Sequence, residues 1–189
     1  MADEYASPSR PDSLARPDGH YDPATIWLHW ATVVLVVILW VVGQVTDWLP
    51  RGPFRSGVWS THILLGFLLA LVLVARVGWR TRFGRNLQAA DTGVLNMIAK
   101  ATHYALYVLL FAVVITGIAN AFYRGFNMFG VWALPQIGSG DPATRRSINE
   151  WHELAANLIV LVAFAHAVAA LVHHYIWRDR LLDRMRPTR

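Results

Sequence analysis

The chain contains 189 residues, of which 55% are hydrophobic and 15% are charged, whereas soluble domains carry about 25% charged residues. The composition excludes extensive disorder and favours contact with lipid, and the lack of cysteine excludes disulfides, thiolate-held iron–sulfur clusters and c-type haem. The net charge is +5, but the basic residues lie between apolar runs, so we expect a membrane and no nucleic acid as partner.

Residues 1–24 form a polar segment rich in proline and acid: Pro8, Pro11, Pro17 and Pro23 with Asp3, Glu4, Asp12, Asp18 and Asp22. We interpret this segment as a flexible tail that precedes the folded domain at residues 25–189. It lacks the basic start, apolar core and cleavage site of a signal peptide, so the first apolar span is expected to stay in the membrane. His20 is predicted to be a solvated residue of this tail.

Four stretches without Asp, Glu, Lys or Arg follow the tail. Each contains at least 20 residues: 23–46, 56–75, 101–123 and 154–177. A helix of about 20 mostly apolar residues crosses the hydrocarbon layer, where only a helix satisfies all of its own backbone hydrogen bonds. We therefore predict an all-α integral membrane four-helix bundle, with spans at about 25–47, 57–77, 97–122 and 150–177.

The basic residues that flank the spans predict their direction. Twelve lie in the N-terminal tail, the second loop and the C-terminal tail, and five lie in the first and third loops. Because cytoplasmic flanks carry the excess of Lys and Arg, both termini are expected to be cytoplasmic in a multi-pass protein of the bacterial inner membrane.

Seven of the eight histidines lie within or beside the spans, although ionisable residues are costly in lipid and indicate a function there. Counting along helices of alternating direction places His62 and His152 at one depth near the outer surface. His166 follows His152 by close to four turns on the same face, at the depth of His29 in the inner half. Two neutral imidazoles from facing helices can ligate one b-type haem, so we predict haem sites in the bundle core.

Two other interpretations remain open on these residues alone. The histidines could be hydrogen-bonded to backbone or to each other within a packed bundle. They could also line a haem-free channel or metal transporter, although transport sites usually add intramembrane carboxylates and the four apolar runs contain none.

Several short motifs follow one another along the chain: Ile26-Trp27-Leu28-His29-Trp30, Ser60-Thr61-His62 with Gly66, Trp151-His152-Glu153, His166 and Val172-His173-His174-Tyr175. In order and spacing they resemble the bacterial cytochrome b561 family over about residues 20–188. The resemblance implies two b haems, whose irons would be held by the pairs His29/His166 and His62/His152.

The function that the resemblance implies is respiratory electron transport. Members of the family pass electrons between a periplasmic donor and the quinone pool, and one branch oxidises superoxide and reduces ubiquinone. This chain is therefore expected to be an oxidoreductase with superoxide or another periplasmic donor and a ubiquinone-type acceptor. The alternative is a cytochrome b anchor subunit that takes electrons from a docked hydrogenase or dehydrogenase.

Three further residues are candidates for the inner end of the bundle. His173 continues the stripe of His166, and His103 is predicted to open the third span at the same surface. Both are hypothesised to line a quinone site, where an imidazole can bond a carbonyl and relay a proton, although both could simply reach the headgroups. Arg76 either pairs with a haem propionate or marks the end of its span.

Two features are expected at the outer end. Arginines outnumber the acids there and would attract an anionic donor: Arg51, Arg55, Arg124, Arg145 and Arg146. These arginines could equally pair with haem propionates or lipid headgroups. The loop at residues 125–146 either covers the outer haem or lies in the membrane interface.

Overall fold

The computed structural model describes residues 19–85, 87, 89 and 92–187. Most of the predicted tail, residues 1–18, lies outside the described residues. The described part of the chain contains four long α-helices: α1 (Pro23–Thr46), α2 (Pro53–Arg82), α3 (Gly93–Arg124) and α4 (Pro142–Leu171). A π-helical turn continues α4 from Val172 to Trp177, and a short 3-10 helix follows from Leu181 to Met185.

Proline and aspartate define where the helices begin. Pro23 and Pro142 occupy the first turns of α1 and α4, where the fixed φ of proline suits a helix and its missing N–H is not needed. Asp22 and Asp141 cap these helices, accepting hydrogen bonds from the backbone N–H of Thr25 at 2.9 Å and of Thr144 at 2.8 Å. Because of its cap, α4 begins well before the apolar run from which its span was predicted.

The helices share a narrow core of branched aliphatic side chains, contributed by all four: Leu35, Leu39, Leu69, Leu73, Leu110 and Ile159. Only 11–22% of the residues in the most apolar window of each helix are buried inside the protein. Most apolar side chains therefore face outward, an arrangement that water disfavours and lipid accommodates. All four helices are long and apolar enough to cross a membrane, so the predicted all-α, multi-pass membrane bundle is confirmed.

A small hairpin closes one end of the bundle, which we call the outer end. Its strands, β1 (Phe126–Met128) and β2 (Trp132–Leu134), pair antiparallel. Buried Met128 packs with Phe67 of α2, and the backbone N–H of Phe129 donates to Ser60 Oγ of the same helix at 3.0 Å. The hairpin of the 125–146 loop therefore packs against α2.

Both described ends of the chain meet at the opposite end of the bundle, which we call the inner end. Tyr21 donates its backbone N–H to the carbonyl of Arg184 at 3.0 Å, and Trp30 Nε1 donates to the carbonyl of Met185 at 2.9 Å. His20 Nδ1 lies 2.6 Å from the carbonyl oxygen of Asp183 and is partly buried. The prediction that His20 is a solvated tail residue was wrong, because the C-terminal 3-10 helix folds back onto it.

Asp22 joins the start of α1 to the end of α2. Besides capping α1, its carboxylate accepts hydrogen bonds from Trp79 Nε1 at 2.7 Å and from the backbone N–H of Arg85 at 3.2 Å. Burial acts to raise the pKa of Asp22, but the hydrogen bonds from Thr25, Trp79 and Arg85 outweigh it and hold the pKa below its ordinary value. Asp22 is therefore ionised throughout the neutral range.

We expect Asp22→Ala to lower the thermal unfolding midpoint in detergent, because losing a helix cap alone costs about 1 kcal/mol. A carboxyl with a depressed folded pKa contributes stability above its unfolded pKa of about 4 and loses it as pH falls further. The difference in unfolding midpoint between Asp22→Ala and wild type should thus be fully present at pH 7 and shrink below about pH 4. Asp183→Asn is the control, and equal midpoints for Asp22→Ala and wild type at pH 7 would contradict this role.

Candidate functional site

Two histidines near the outer end face each other across the bundle and form what we call the outer pair. The imidazole rings of His62 on α2 and His152 on α4 have centroids 6.3 Å apart and planes 81° apart. Two imidazoles that bind one metal from opposite sides, each through nitrogen at about 2 Å, have ring centres about 6 Å apart. The outer pair therefore has the separation that one iron between two imidazoles requires.

The hydrogen bonds of His152 prepare it to act as a ligand. Its Nδ1 lies 3.0 Å from the carbonyl oxygen of Val113 and 3.2 Å from Thr116 Oγ1. A carbonyl can only accept, so Nδ1 carries the hydrogen and the lone pair is on Nε2. His62 is held less firmly, because its buried Nδ1 has only a weak backbone contact with Leu39.

Glycines make room beside both imidazoles. The outer pair borders a cavity of about 470 Å³, which Gly43, Gly66 and Gly117 also line. A Cβ atom on Gly117 would lie 2.9 Å from His152 Cε1, and one on Gly43 would lie 3.7 Å from His62 Cε1. The cavity is within the size range of small-molecule sites, so a flat ligand of haem's class fits this part of the bundle.

The rim of this cavity is polar. Asn120 Nδ2 donates to Asn149 Oδ1 at 3.1 Å, and Asn149 Nδ2 donates to Glu153 Oε1 at 2.6 Å. Of the arginines predicted to attract an anion, Arg55 forms an ion pair with Asp47 at 2.9 Å. The remaining four are exposed at the same end: Arg51, Arg124, Arg145 and Arg146. Among these four, Arg124 also lines the cavity, together with the acidic Glu153.

Four helices contribute to a second group of side chains, the inner cluster of His29, Arg76, His103 and His166. The rings of His103 and His166 have centroids 5.2 Å apart. Arg76 Nη2 lies 3.0 Å from His29 Nδ1, with its guanidinium over the ring of Tyr107. His29 lies in the neighbourhood of His166 and His103. The predicted inner histidines thus share one cluster, but the ring in contact with His166 is that of His103.

His103 and His173, the two candidates for a quinone site, have different surroundings. Because α3 begins at Gly93, His103 lies ten residues, or about 15 Å, along its helix rather than at its start. His173 is bonded through Nδ1 to Asp179 at 2.5 Å and stacks edge-on against Trp177. The contacts described for His103 involve the inner cluster, whereas those of His173 involve the C-terminal turn.

Sequence reasoning missed several residues of these sites. Gly117 and Gly43 were detectable, since glycine inside an apolar helix is unfavourable and indicates a close approach. The bonds of His152 to Val113 and of His173 to Asp179 had no sequence signal, because a tertiary contact and an irregular turn respectively create them.

A membrane-spanning bundle that carries facing histidines beside a cavity of this size has the character of a transmembrane b-type cytochrome. The sequence profile of the prokaryotic cytochrome b561 family matches residues 20–188, and the chain belongs to this family. Family membership implies haem b and electron transfer within the membrane, and it removes the haem-free transporter from consideration.

Three relatives illustrate the similarity. The chain is 27% identical to the "Probable superoxide oxidase CybB" of Yersinia pestis over 170 residues, which are 88% of this chain and 96% of the relative. It is 28% identical to "Cytochrome b561 homolog 1" of Escherichia coli over 89% of this chain and 98% of that protein. It is 29% identical to "Cytochrome b562" of Cereibacter sphaeroides over 87% and 94%, respectively. The similarity thus extends over nearly the whole of each relative.

Proposed function

We propose that the chain is a di-haem cytochrome of the bacterial inner membrane that passes electrons from a periplasmic donor to a ubiquinone-type quinone. The observation that carries the proposal is the outer pair, whose 6.3 Å ring separation and ligand-ready His152 suit bis-histidine coordination. Each haem, when bound, supplies one-electron redox chemistry. The excess of basic flanks at the inner end supports cytoplasmic termini.

The outer haem would be held by His62 and His152. Val113 keeps the hydrogen of His152 on Nδ1, so Nε2 is the nitrogen that can bind iron. The three glycines of the cavity would let the macrocycle approach the helix backbones. The hairpin would shield one side of this site, because Phe126 of β1 lines the same cavity.

The inner haem would be held by His29 and His166, with Arg76 as the partner of a propionate. Arg76 is always a donor, so the His29 Nδ1 that it contacts must accept, which leaves the hydrogen on Nε2. Ligation through Nε2 needs the opposite tautomer. Arg76 therefore has to donate to another acceptor when His29 binds iron, and a propionate carboxylate is the acceptor that a guanidinium favours.

Superoxide is the proposed donor. The relative from Yersinia pestis is named as a probable superoxide oxidase, and the four exposed arginines at the outer end would draw a small anion toward this end of the bundle. At the inner end, His173 is the proposed proton donor to the quinone. His103 would line the path between the inner cluster and that site.

The test is a haem-to-protein ratio followed by two half-reactions on the purified chain. We expect two b haems per chain, reduction of both by superoxide, and reoxidation by ubiquinone. A chain that binds haem, is not reduced by superoxide and copurifies with a dehydrogenase or hydrogenase would instead be an anchor subunit. A chain without haem, expressed with adequate haem supply, would contradict the proposal.

We expect Gly117→Val to weaken the outer haem site about 10- to 100-fold, because any side chain at this position displaces His152 from its bond to Val113. The measurement is haem occupancy after titration of the haem-depleted protein. Gly78→Ala is the matched control, since a Cβ there meets nothing within 4 Å. Equal occupancy in Gly117→Val and the control would show that the glycine is not needed.

A further inference from the structure

The polypeptide takes an unusual path where α4 ends. A π-helical turn from Val172 to Trp177 is followed by Arg178 and Arg180, both in the left-handed region with φ of 57° and 59°. Such φ values are unfavourable for residues other than glycine, and they persist where other contacts compensate for them. Arg178 turns the chain back, so that the backbone N–H of Asp179 donates to the carbonyl of His173 at 3.3 Å, and Arg180 directs the chain into the 3-10 helix.

This path brings the Asp179 carboxylate onto the His173 ring. Asp179 Oδ2 lies 2.5 Å from His173 Nδ1, and Asp179 Oδ1 accepts from the backbone N–H of Leu181 at 3.0 Å. The His173 side chain is 12% exposed and that of Asp179 is 35% exposed. Trp177 covers the imidazole, with ring centroids 4.3 Å apart. Both oxygens of the carboxylate are thus engaged in a partly sheltered site.

The charge of Asp179 follows from these contacts. Burial acts to raise its pKa, but the hydrogen bonds from His173 and Leu181 and the charges of His173 and Arg184 outweigh it, so the pKa is below its ordinary value. The other charged groups on this turn and on the 3-10 helix packed against it are Arg178, Arg180 and Asp183. Asp179 is ionised at neutral pH.

An ionised carboxylate on Nδ1 keeps a hydrogen on that nitrogen, which defines the orientation and tautomer of the imidazole ring. Nε2, on the opposite edge of the ring, is then the nitrogen that gives up a proton and regains it. His173 is therefore arranged as a proton donor rather than as a simple headgroup contact.

We propose that Asp179 is a positioning residue, which holds His173 in the orientation and tautomer that deliver protons to the quinone. The proposal rests on the function proposed above. Reduction of a quinone to a hydroquinone takes two electrons, which the periplasmic donor supplies, and two protons. For each proton, the Nε2–H bond of His173 breaks, an O–H bond forms at a quinone oxygen, and the imidazole regains a proton from water at the inner surface.

The experiment compares two oxidants of the pre-reduced holoprotein. Haem reoxidation is followed by absorbance after mixing with a soluble ubiquinone, which needs protons, or with ferricyanide, which needs none. We expect Asp179→Asn to slow reoxidation by ubiquinone about 10- to 100-fold and to leave the ferricyanide rate and the haem spectrum unchanged. Asp179→Glu should restore part of the rate. Asp183→Asn, which removes a neighbouring negative charge, should behave as wild type.

Three results would overturn the inference. A wild-type ubiquinone rate in Asp179→Asn would show that the carboxylate is not needed, and the proposed function would still stand. Equal slowing with ferricyanide, or an altered haem spectrum, would make Asp179 a structural residue only. If ubiquinone does not reoxidise the wild-type protein while ferricyanide does, the proposed function itself fails, and the inference falls with it.

Discussion

The His152→Ala protein should purify with about one b haem per chain instead of two. Among the proposed ligands, His152 has the most closely defined surroundings, because Val113 determines its tautomer and Gly117 leaves room for its ring. Alanine removes the nitrogen that would bind iron and opens the site further. His62 alone would leave the iron with an open position, so we expect the outer haem to be lost or to become high-spin.

Haem content per protein and low-temperature electron paramagnetic resonance distinguish these outcomes. The inner haem is an internal standard, since its low-spin signal should persist in His152→Ala. His62→Ala should give the same result, and the double variant should be no worse than either single variant, because the two residues act on one iron. His20→Ala, outside the bundle core, is the matched control. Two low-spin haems in His152→Ala would show that the outer ligands were assigned wrongly.

The number and order of the helices were predictable because each charge-free run is long enough to cross the hydrocarbon layer. The ends of the helices were less predictable. The backbone continues its hydrogen bonds into the polar region wherever a cap permits, as Asp141 does for α4. The residue before α3, Thr92, forms no side-chain cap, yet this helix also begins before its apolar run. Counting from the apolar run placed His103 at the surface, but the helix begins two turns earlier at Gly93.

The outer pair was predictable for a related reason. His62 and His152 lie on regular helical backbone, so residue counts convert directly into depth. The bond between His173 and Asp179 could not be predicted in this way. A regular α-helix does not bring residues six apart together, and here the π-helical turn and the left-handed Arg178 do so. The contact between His173 and Asp179 thus depends on a backbone irregularity that sequence periodicity does not report.

The largest effect at the inner end should come from His166→Ala, which we expect to lose the inner haem while the outer haem remains. His29→Ala should lose it too, because each supplies one of the two proposed axial nitrogens. The informative comparison is His103→Ala. The ring centroids of His103 and His166 are 5.2 Å apart, so His103 is the alternative to His29 as the second ligand of the inner haem.

If His29 and His166 are the ligands, His103→Ala keeps two low-spin haems and changes only the surroundings of the inner one. If His103 and His166 are the ligands, His103→Ala loses the inner haem and His29→Ala retains it. An intermediate result would be partial loss of the inner haem in His29→Ala. Because Arg76 contacts His29 Nδ1, it is the residue that could hold a propionate of the remaining haem. In that case Arg76→Gln in the His29→Ala background should release the rest of the inner haem.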